Sequence, residues 1–512
     1  MKSDKDLYRQ LRVLPCDKLW NEEVAGFNQA SPRERMARVA VIRAVGVVFS
    51  ASANGAQKAA AREWLRRLLR DPSEKIRRYA MAAIPKLGSG PAEEAELLSL
   101  LKTHAGPREK KSLGSALDKI GGAATLEAVS GAPGLLPQTE QKVKAIVARR
   151  AQPSAIRLGS MITSFDGLRI HLRCRKGLEE LVRDEVEAYV AENGKFRVIA
   201  MSSRFVAITP AGPFSLADIY ALRCFATVGI VLGMVRSSNP AGSVEELASI
   251  ITSPLSRRLL TTLTEGSIRY RLEFLSKGHQ RAAVHLVANR AYELCPDLLN
   301  DARSAPWSID IHPTGQGSSV ELRPRLSPDP RFFYREDDVA AASHPPLAAC
   351  MARLAGRVEN EIVWDPFCGS GLELIESALL GGVKKIVGTD LSPEAIAVAK
   401  ANVAAAKLKA VASTFAVRDF RNYAGIEGLG PGTVTLVITN PPMGRRLRIP
   451  NMKGLFADFL AVAAEALKPG GRLVFPNPLR IEPRDPSLQL QYREVVDLGG
   501  FDCHLEVYLK AT

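Results

Sequence analysis

The chain has 512 residues and a hydrophobic fraction of 46%, so we expect roughly two to four domains, each with an apolar core. The seven cysteines are scattered, without a CxxC pair or a neighbouring histidine cluster. This pattern disfavours a disulfide framework and a metal site, and it favours a reducing compartment. The N-terminus lacks the apolar segment of a secretory signal, and the longest apolar runs, of about ten residues, are too short to span a bilayer. We therefore expect a soluble, cytoplasmic protein that does not enter a membrane.

The positive charge is concentrated in the first third of the chain. The formal net charge is +15, and it divides into +12 for residues 1–160, +4 for residues 161–335 and −1 for residues 336–512. A basic region joined to a neutral one predicts that the first binds a polyanion while the second does something else. The alternative is that the charges only solvate helix surfaces.

Residues 1–150 are predicted to be helical. Two apolar stripes have helical spacing: Trp64, Leu65, Leu68 and Leu69, then Ile76, Tyr79, Ala80, Ala83 and Ile84. Between them, Asp71 is a plausible N-cap with Pro72 at the first helical position. Short helices that follow one another in this way resemble HEAT repeats, an all-α architecture whose surface could contact RNA or a protein partner.

Residues 131–165 are rich in glycine, proline and small polar residues, which is typical of a linker. Residues 166–325 then mix strands and helices in the α+β order of ferredoxin-like units. The segments GLEELVRDEVEAYVAENG, LADIYALRCFATVGIVLG and FFYREDDVAAASHPPLAACMARLAG resemble the front half of THUMP-containing RNA methyltransferases. The resemblance implies a THUMP-like RNA-binding region.

Residues 331–512 have the pattern of an α/β, Rossmann-like domain. The strand EIVW ends at Asp365, the turn PFCGSG supplies Gly369 and Gly371, and the next strand ends at Asp390, 21 positions after Gly369. An acidic residue at that place accepts hydrogen bonds from ribose hydroxyls in doubly wound folds. The turn lacks the GxGxxG spacing of dinucleotide enzymes and the Lys-Ser/Thr pair of a P-loop, so NAD and ATP are disfavoured.

Two later strands are predicted to end in polar side chains at the same edge of the sheet. STFAVRDF ends at Asp419, well placed for an adenine amino group, and TVTLVITN delivers Asn440, which is followed by Pro441 and Pro442. In such sheets ligands bind beyond the carboxyl ends of the strands. We therefore expect Asp365, Asp390, Asp419 and Asn440 to converge there.

The order of these motifs, from DPFCGSG to NPPMGRR, resembles class I S-adenosylmethionine-dependent methyltransferases that act on exocyclic amines. More narrowly, it resembles the guanine-N2 RNA methyltransferases of the THUMP group. The resemblance implies a tRNA or ribosomal RNA substrate, no metal, and catalytic residues Asn440, Pro441, Pro442 and Met443. It also implies that S-adenosylmethionine is held by residues on the strand ends and turns: Asp365, Phe367, Gly369, Gly371, Asp390, Leu391, Asp419, Phe420 and Asn440.

The Asn-Pro-Pro sequence has a chemical reason in such an enzyme. The lone pair of a nucleobase amine is delocalised into the ring, and two acceptors aimed at its hydrogens favour a pyramidal, nucleophilic nitrogen. The Asn440 side-chain oxygen can be one acceptor and the Pro441 carbonyl the other, since successive prolines fix the backbone. Catalysis is then mainly positioning and matched electrostatics.

Met443 departs from the family pattern, which has an aromatic residue there for the flipped base. A sulfur contact is weaker than a base–aromatic stack of ~1–3 kcal/mol, and Phe367 is a candidate to compensate. Nearby, the basic GRRLRI segment, with Arg445, Arg446 and Arg448, could hold phosphates of the target strand. The alternatives are a non-catalytic RNA-binding scaffold that keeps the fold, or an enzyme that methylates DNA adenine or a protein glutamine.

Overall fold

The computed structural model describes residues 4–88, 90–101, 106–130, 143–144, 147, 153–236, 243–276, 280–339, 343–443 and 450–511. These residues fall into two compact units. One unit contains Met1–Ile156 and Gly233–Val320, and the other contains Arg157–Leu232 and Glu321–Thr512. The domain boundaries expected from the sequence, 1–150, 166–325 and 331–512, remain predictions. Within the described ranges, no helix is both long enough and apolar enough to cross a membrane.

The first part of the first unit is helical, as predicted. Its longer helices form a layer in which Ala40–Ser52 packs on Glu74–Ala83, which in turn packs on Pro107–Ile120. A π-helical turn, Leu19–Val24, and a 3₁₀ turn, Ile84–Lys86, complete this region. The other α-helices are Asp4–Leu11, Cys16–Lys18, Ala25–Gln29, Pro32–Ala37, Gly55–Leu68, Pro91–Leu101 and Ala123–Ser130.

Two ion pairs join residues that lie 36 and 32 positions apart in the sequence. Arg35 donates to Asp71 at 2.9 Å, and Arg77 donates to Glu109 at 2.9 Å. The prediction that Asp71 caps the next helix is wrong, because Glu74–Ala83 begins after Ser73. Asp71 instead accepts from the Ser73 N–H at 2.9 Å, so it shapes the turn while it holds Arg35.

The rest of the first unit alternates strands and helices, in the predicted order. Arg269–Phe274 pairs in parallel with both Leu299–Asn300 and Trp307–Thr314. Ser154–Ile156 pairs antiparallel with Thr264–Gly266. The helices of this part are Val244–Ile251, Pro254–Leu263 and Arg281–Leu294, and the strand Gly317–Pro324 begins in it.

The second unit begins with antiparallel strands around one long helix. Ile170–Arg173 lies between Phe205–Pro210 and Thr227–Val235. Phe205–Pro210 pairs on its other side with Phe196–Ser202. The helix Glu179–Asn193 ends where Gly194 takes a left-handed conformation, φ 65°, which glycine adopts without steric strain. A short helix, Leu216–Ile219, completes this part.

The C-terminal part of this unit is the predicted Rossmann-like domain. Its strands are β1 Glu361–Asp365, β2 Val383–Asp390, β3 Ala412–Val417, β4 Val434–Ile438, β5 Leu467–Asn477, β6 Leu488–Asp497 and β7 Asp502–Lys510. They form a seven-stranded sheet in the order β3-β2-β1-β4-β5-β7-β6. Strands β1 to β5 are parallel, and β7 is antiparallel to both neighbours. The helices are α1 Pro345–Ala355, α2 Leu372–Leu380, α3 Pro393–Ala406 and α4 Met452–Ala466.

Hydrogen bonds to buried carboxylates hold the loop before Thr227–Val235 against helix α2. The guanidinium of Arg223 makes two hydrogen bonds of 2.7 Å to the carboxylate of Glu376, and the Tyr334 hydroxyl donates to the same carboxylate. Glu185 accepts from the backbone N–H groups of Arg223 and Cys224. Because Glu376 is 3% exposed, its charge depends on these partners.

Replacing Arg223 with methionine should therefore destabilise the second unit. Removing one partner of a buried ion pair typically costs about 3–5 kcal/mol, because the other charge is left uncompensated. Hydrogen exchange of the α2 amides in increasing urea measures the loss. The control is Arg183→Met, which breaks an exposed pair with Asp184 and should cost about 0–1 kcal/mol. Equal effects of the two variants would contradict the assignment.

Candidate active site

The parallel register brings the predicted polar residues to one edge of the sheet. Asp365, the last residue of β1, lies opposite Gly388, and Trp364 lies opposite Val437 of β4. Asp390, the last residue of β2, lies opposite Val417 of β3. The segments that follow these strand ends therefore share one edge, where ligands of such sheets bind.

The turn after β1 is closed by a carboxylate from β2. Gly369 and Gly371 have φ values of 49° and 80°, which favour glycine. The Gly369 N–H donates to Asp390 Oδ2 at 3.0 Å, and the Ser392 N–H donates to Asp390 Oδ1 at 2.9 Å. Asp390 thus holds the glycine turn and the start of α3 together. A carboxylate has about four acceptor positions, so these two bonds leave room for more.

Three phenylalanine rings pack against one another next to this turn. The Phe367 ring lies 4.9 Å from that of Phe420 and 5.6 Å from that of Phe459, measured between centroids. Leu391, directly after Asp390, is 71% exposed. A leucine left outside the core next to a polar strand end fits contact with a flat, partly apolar ligand.

Asp419 lies at the expected edge but has a partner of its own. The strand predicted to end at Asp419 ends at Val417, and Asp419 caps the 3₁₀ turn Phe420–Asn422. It accepts from the Arg421 N–H at 2.9 Å and forms an ion pair with the Arg421 guanidinium at 3.0 Å. The arginine was missed in the sequence because a charged residue in such a turn is usually solvated.

The acidic groups beneath the site are buried. Asp365 is fully buried and accepts from the Phe367 N–H at 3.0 Å. Burial, together with the nearby charge of Glu373, holds the pKa of Asp365 well above its usual range. Burial also raises the pKa of Glu373, while a hydrogen bond from Ser343 acts in the opposite direction.

Asn440 lies two residues past the end of β4, with its two amide atoms in different surroundings. Its Nδ2 donates to Ser343 Oγ at 2.8 Å. Its Oδ1 is buried and has no hydrogen-bond partner among the described residues. Pro441 is buried, and Pro442 and Met443 are half-buried. The site thus presents a fixed acceptor beside the glycine turn.

One predicted segment lies outside the described residues, and two residues near Asn440 were not predicted. The basic segment with Arg445, Arg446 and Arg448 lies outside them. Ser343 and Glu373 were not predicted as site residues, although Ser343 lies within the segment FFYREDDVAAASHPPLAACMARLAG that was quoted for its resemblance. Within the described part of the chain, no group of three or more His, Cys, Asp or Glu side chains is arranged to hold a metal ion.

Comparison with known proteins agrees with this geometry. Residues 333–483 match the family model described as RMKL-like, methyltransferase domain. Two similar proteins are tRNA (guanine(10)-N2)-dimethyltransferases. That of Methanocaldococcus jannaschii is 33% identical over 32% of this chain and 46% of its own length, and that of Methanothermobacter thermautotrophicus is 29% identical over 31% and 43%. The chain thus spans less than half the length of these relatives.

Other relatives carry a different target in their names. The ribosomal protein L11 methyltransferase of Vibrio cholerae is 28% identical over 38% of this chain and 60% of its own length. Among solved structures, TrmN from Thermus thermophilus covers 67% of this chain and 99% of its own, with a TM-score of 0.52 and 22% identity. That likeness shows the fold. The predicted resemblance to methyltransferases is confirmed, whereas the likeness to THUMP regions and HEAT repeats stays a prediction.

The half-buried His344, which follows Ser343, should make the free energy of unfolding depend on pH. Burial, and then the positive charges of Arg175, Arg331 and Arg335, lower the pKa of His344 to about 4. Its neutral form therefore contributes stability that is complete above the unfolded-state pKa and is lost as the pH falls towards 4. Between pH 7.5 and 4.5 the wild type should lose about 2–3 kcal/mol more than His344→Gln. Urea unfolding at the two pH values measures this, and parallel losses would contradict it.

Proposed function

We propose that this protein is an S-adenosylmethionine-dependent RNA methyltransferase that modifies an exocyclic amine, guanine N2 of a tRNA or ribosomal RNA. The observation that carries the proposal is the buried, unpartnered Oδ1 of Asn440 beside the glycine turn. The names of the tRNA (guanine(10)-N2)-dimethyltransferases among the relatives support the choice of amine and of RNA.

The residues at the sheet edge fit S-adenosylmethionine. A Cβ built on Gly369 would have its nearest neighbour, Val339 Cγ2, at 3.7 Å, which is an ordinary contact distance, so the described residues do not crowd the turn. Gly369, Gly371 and Asp365 would hold the amino-acid end of the cofactor, and Asp390 the ribose hydroxyls. Leu391, Phe367, Phe420 and Asp419 would surround the adenine. When bound, the cofactor supplies an electrophilic methyl group.

The residues of this chain supply hydrogen-bond acceptors for the substrate amine and hold it in position. Asn440 Oδ1 and the Pro441 carbonyl accept from the two hydrogens of the amine, which localises the nitrogen lone pair. A nitrogen that has gained a methyl group is acidic, so a water molecule or a weak base can take its proton. The burial of Asn440 Oδ1 strengthens its interaction with the amine, because the local dielectric is low.

Residues 1–160 support the binding of a polyanion, because they carry +12 of the net charge. The pKa of Lys86 is lowered by burial first and then by the positive charges of Lys119 and Arg43, so this lysine in a 3₁₀ turn is affected by cations from two separate helices. Clusters of cations attract phosphates. In this proposal the HEAT-like helices and the THUMP-like strands hold the RNA, and the helices also offer a surface for a protein partner.

A protein amine is the second candidate target, because ribosomal protein L11 methyltransferases are among the relatives. A third hypothesis is a scaffold without catalytic turnover. The half-buried Met443 favours it, since methionine stacks on a base less strongly than an aromatic ring does. A methylation assay that offers RNA and ribosomal proteins separately distinguishes all three. Transfer to neither, despite cofactor binding, would favour the scaffold.

Asp390→Ala should weaken cofactor binding. A hydrogen bond to a charged group contributes about 1.5–3 kcal/mol, so calorimetry should show affinity lowered by a factor of roughly 10–150. Glu394→Ala, which removes an exposed carboxylate four residues away on α3, is the matched control and should bind normally. Failure of the wild type to bind S-adenosylmethionine at millimolar concentration would refute the enzyme proposal.

Asn440→Ala should slow methyl transfer with little change in cofactor affinity, because the acceptor acts mainly in the transition state. Loss of such a group typically costs a factor of about 10²–10³ in rate. Single-turnover transfer to undermodified tRNA, with the product nucleoside identified by mass, measures it. Asn193→Ala, at an exposed asparagine, is the control. A wild-type rate in Asn440→Ala would disprove the acceptor mechanism.

A further inference from the structure

A carboxamide can act as the acceptor only if it is held in one of its two orientations. Flipping the Asn440 side chain about its last bond would exchange Oδ1 with Nδ2 and turn an acceptor into a donor. The backbone of β4 does not decide between these orientations. Something that contacts the amide must do so.

Ser343 makes that contact, and Glu373 determines its direction. The Ser343 hydroxyl donates its one proton to Glu373 Oε1. Its oxygen can then only accept, and it accepts from Asn440 Nδ2 at 2.8 Å. A flipped Asn440 would place Oδ1 against an oxygen with no proton to offer, which is an unfavourable contact between acceptors. The chain of bonds therefore has a single direction.

The surroundings make this direction costly to reverse. Ser343 is 7% exposed and Glu373 is 3% exposed, so no bulk water replaces a lost bond. Glu373 lies in the first turn of α2, where the helix dipole and the hydrogen bond from Ser343 favour its carboxylate form against the burial that raises its pKa. As an acceptor, that carboxylate keeps the Ser343 proton turned away from Asn440.

We infer that Ser343 and Glu373 are positioning residues, which hold the Asn440 carboxamide with Oδ1 towards the reacting amine. This inference rests on the proposed function for its catalytic consequence. The hydrogen-bond direction itself can be tested without any methyl transfer.

Four variants separate orientation from general damage. Ser343→Ala removes the link. Ser343→Thr keeps the hydroxyl group and should therefore keep the hydrogen bonds to Asn440 and Glu373. Glu373→Gln is nearly isosteric but can donate through its amide, which frees the Ser343 proton to bond Asn440 Oδ1. Ser377→Ala is the matched control, because Ser377 is a buried serine on α2 whose hydroxyl donates to the Glu373 backbone carbonyl instead.

We expect Ser343→Ala and Glu373→Gln to lower the single-turnover rate about 10- to 100-fold with cofactor affinity within about twofold of wild type. Ser343→Thr and Ser377→Ala should stay near the wild-type rate. Wild-type rates in Ser343→Ala and Glu373→Gln would overturn the inference. So would an equal loss in Ser377→Ala, which would indicate damage to α2.

Solvent exchange of the Asn440 side-chain amide hydrogens, followed by NMR with labelled asparagine, gives the second readout. Exchange should be slow in the wild type and about fivefold or more faster in Ser343→Ala, in proportion to the lost hydrogen bond. Unchanged exchange would overturn the inference even for an active enzyme. Slow exchange in a wild type that methylates nothing would refute the proposed function and leave the orientation standing.

Discussion

The site depends on the parallel pairing of β1 with β2 on one side and with β4 on the other. This register puts Asp365 opposite Gly388 and Trp364 opposite Val437, so the glycine turn, Asp390 and Asn440 follow strands that end at one edge. A slip of one residue would turn each side chain to the opposite face. Gly388 shows how tightly this arrangement is fixed. A Cβ there would lie 2.5 Å from the Phe415 ring and 3.0 Å from Cys368 Sγ.

Under this edge, helix α2 contributes two buried carboxyl groups, each with a side-chain partner from a distant part of the sequence. Glu376 is held by Arg223, and Glu373 by Ser343. Because a buried charge without a partner is costly, residues 157–232 are part of what stabilises helix α2. This explains why these residues cluster with the C-terminal domain in one compact unit.

The sequence predicted most of what depends on local pattern. The apolar runs of β1, β2 and β4, the glycine turn and helix α2 lie where the periodicity placed them. The positions of Asp390 and Asn440 at this edge could be foreseen because strand ends in such sheets face ligands, and their roles in binding and catalysis stay predictions. Asp419 was placed at the right edge, but its strand is shorter and its carboxylate is shared with Arg421.

What could not be foreseen depends on contacts between distant residues. Glu373 and Glu376 in LELIESALL look like solvated positions of an amphipathic helix, yet both are buried. Their partners lie 30 and 153 residues earlier in the chain, and no spacing rule connects them. Asp71 failed as a predicted N-cap for the same reason, because its carboxylate is used by Arg35 and by the turn.

The proposed function joins two features that look unrelated, Met443 and the charge of the N-terminal region. The acceptor side of the site is held by the hydrogen bonds that join Asn440 to Ser343 and Ser343 to Glu373, and Met443 takes part in neither bond. A methionine in place of an aromatic ring reduces only the free energy gained by stacking on the base. RNA binding then depends more on phosphate contacts, and the excess of cations lies in residues 1–160. Phosphate contacts weaken steeply with salt, because bound counterions are released, while stacking is much less sensitive. Under the proposed function, we therefore expect the protein to take its affinity from the backbone of the RNA and its choice of amine from Asn440.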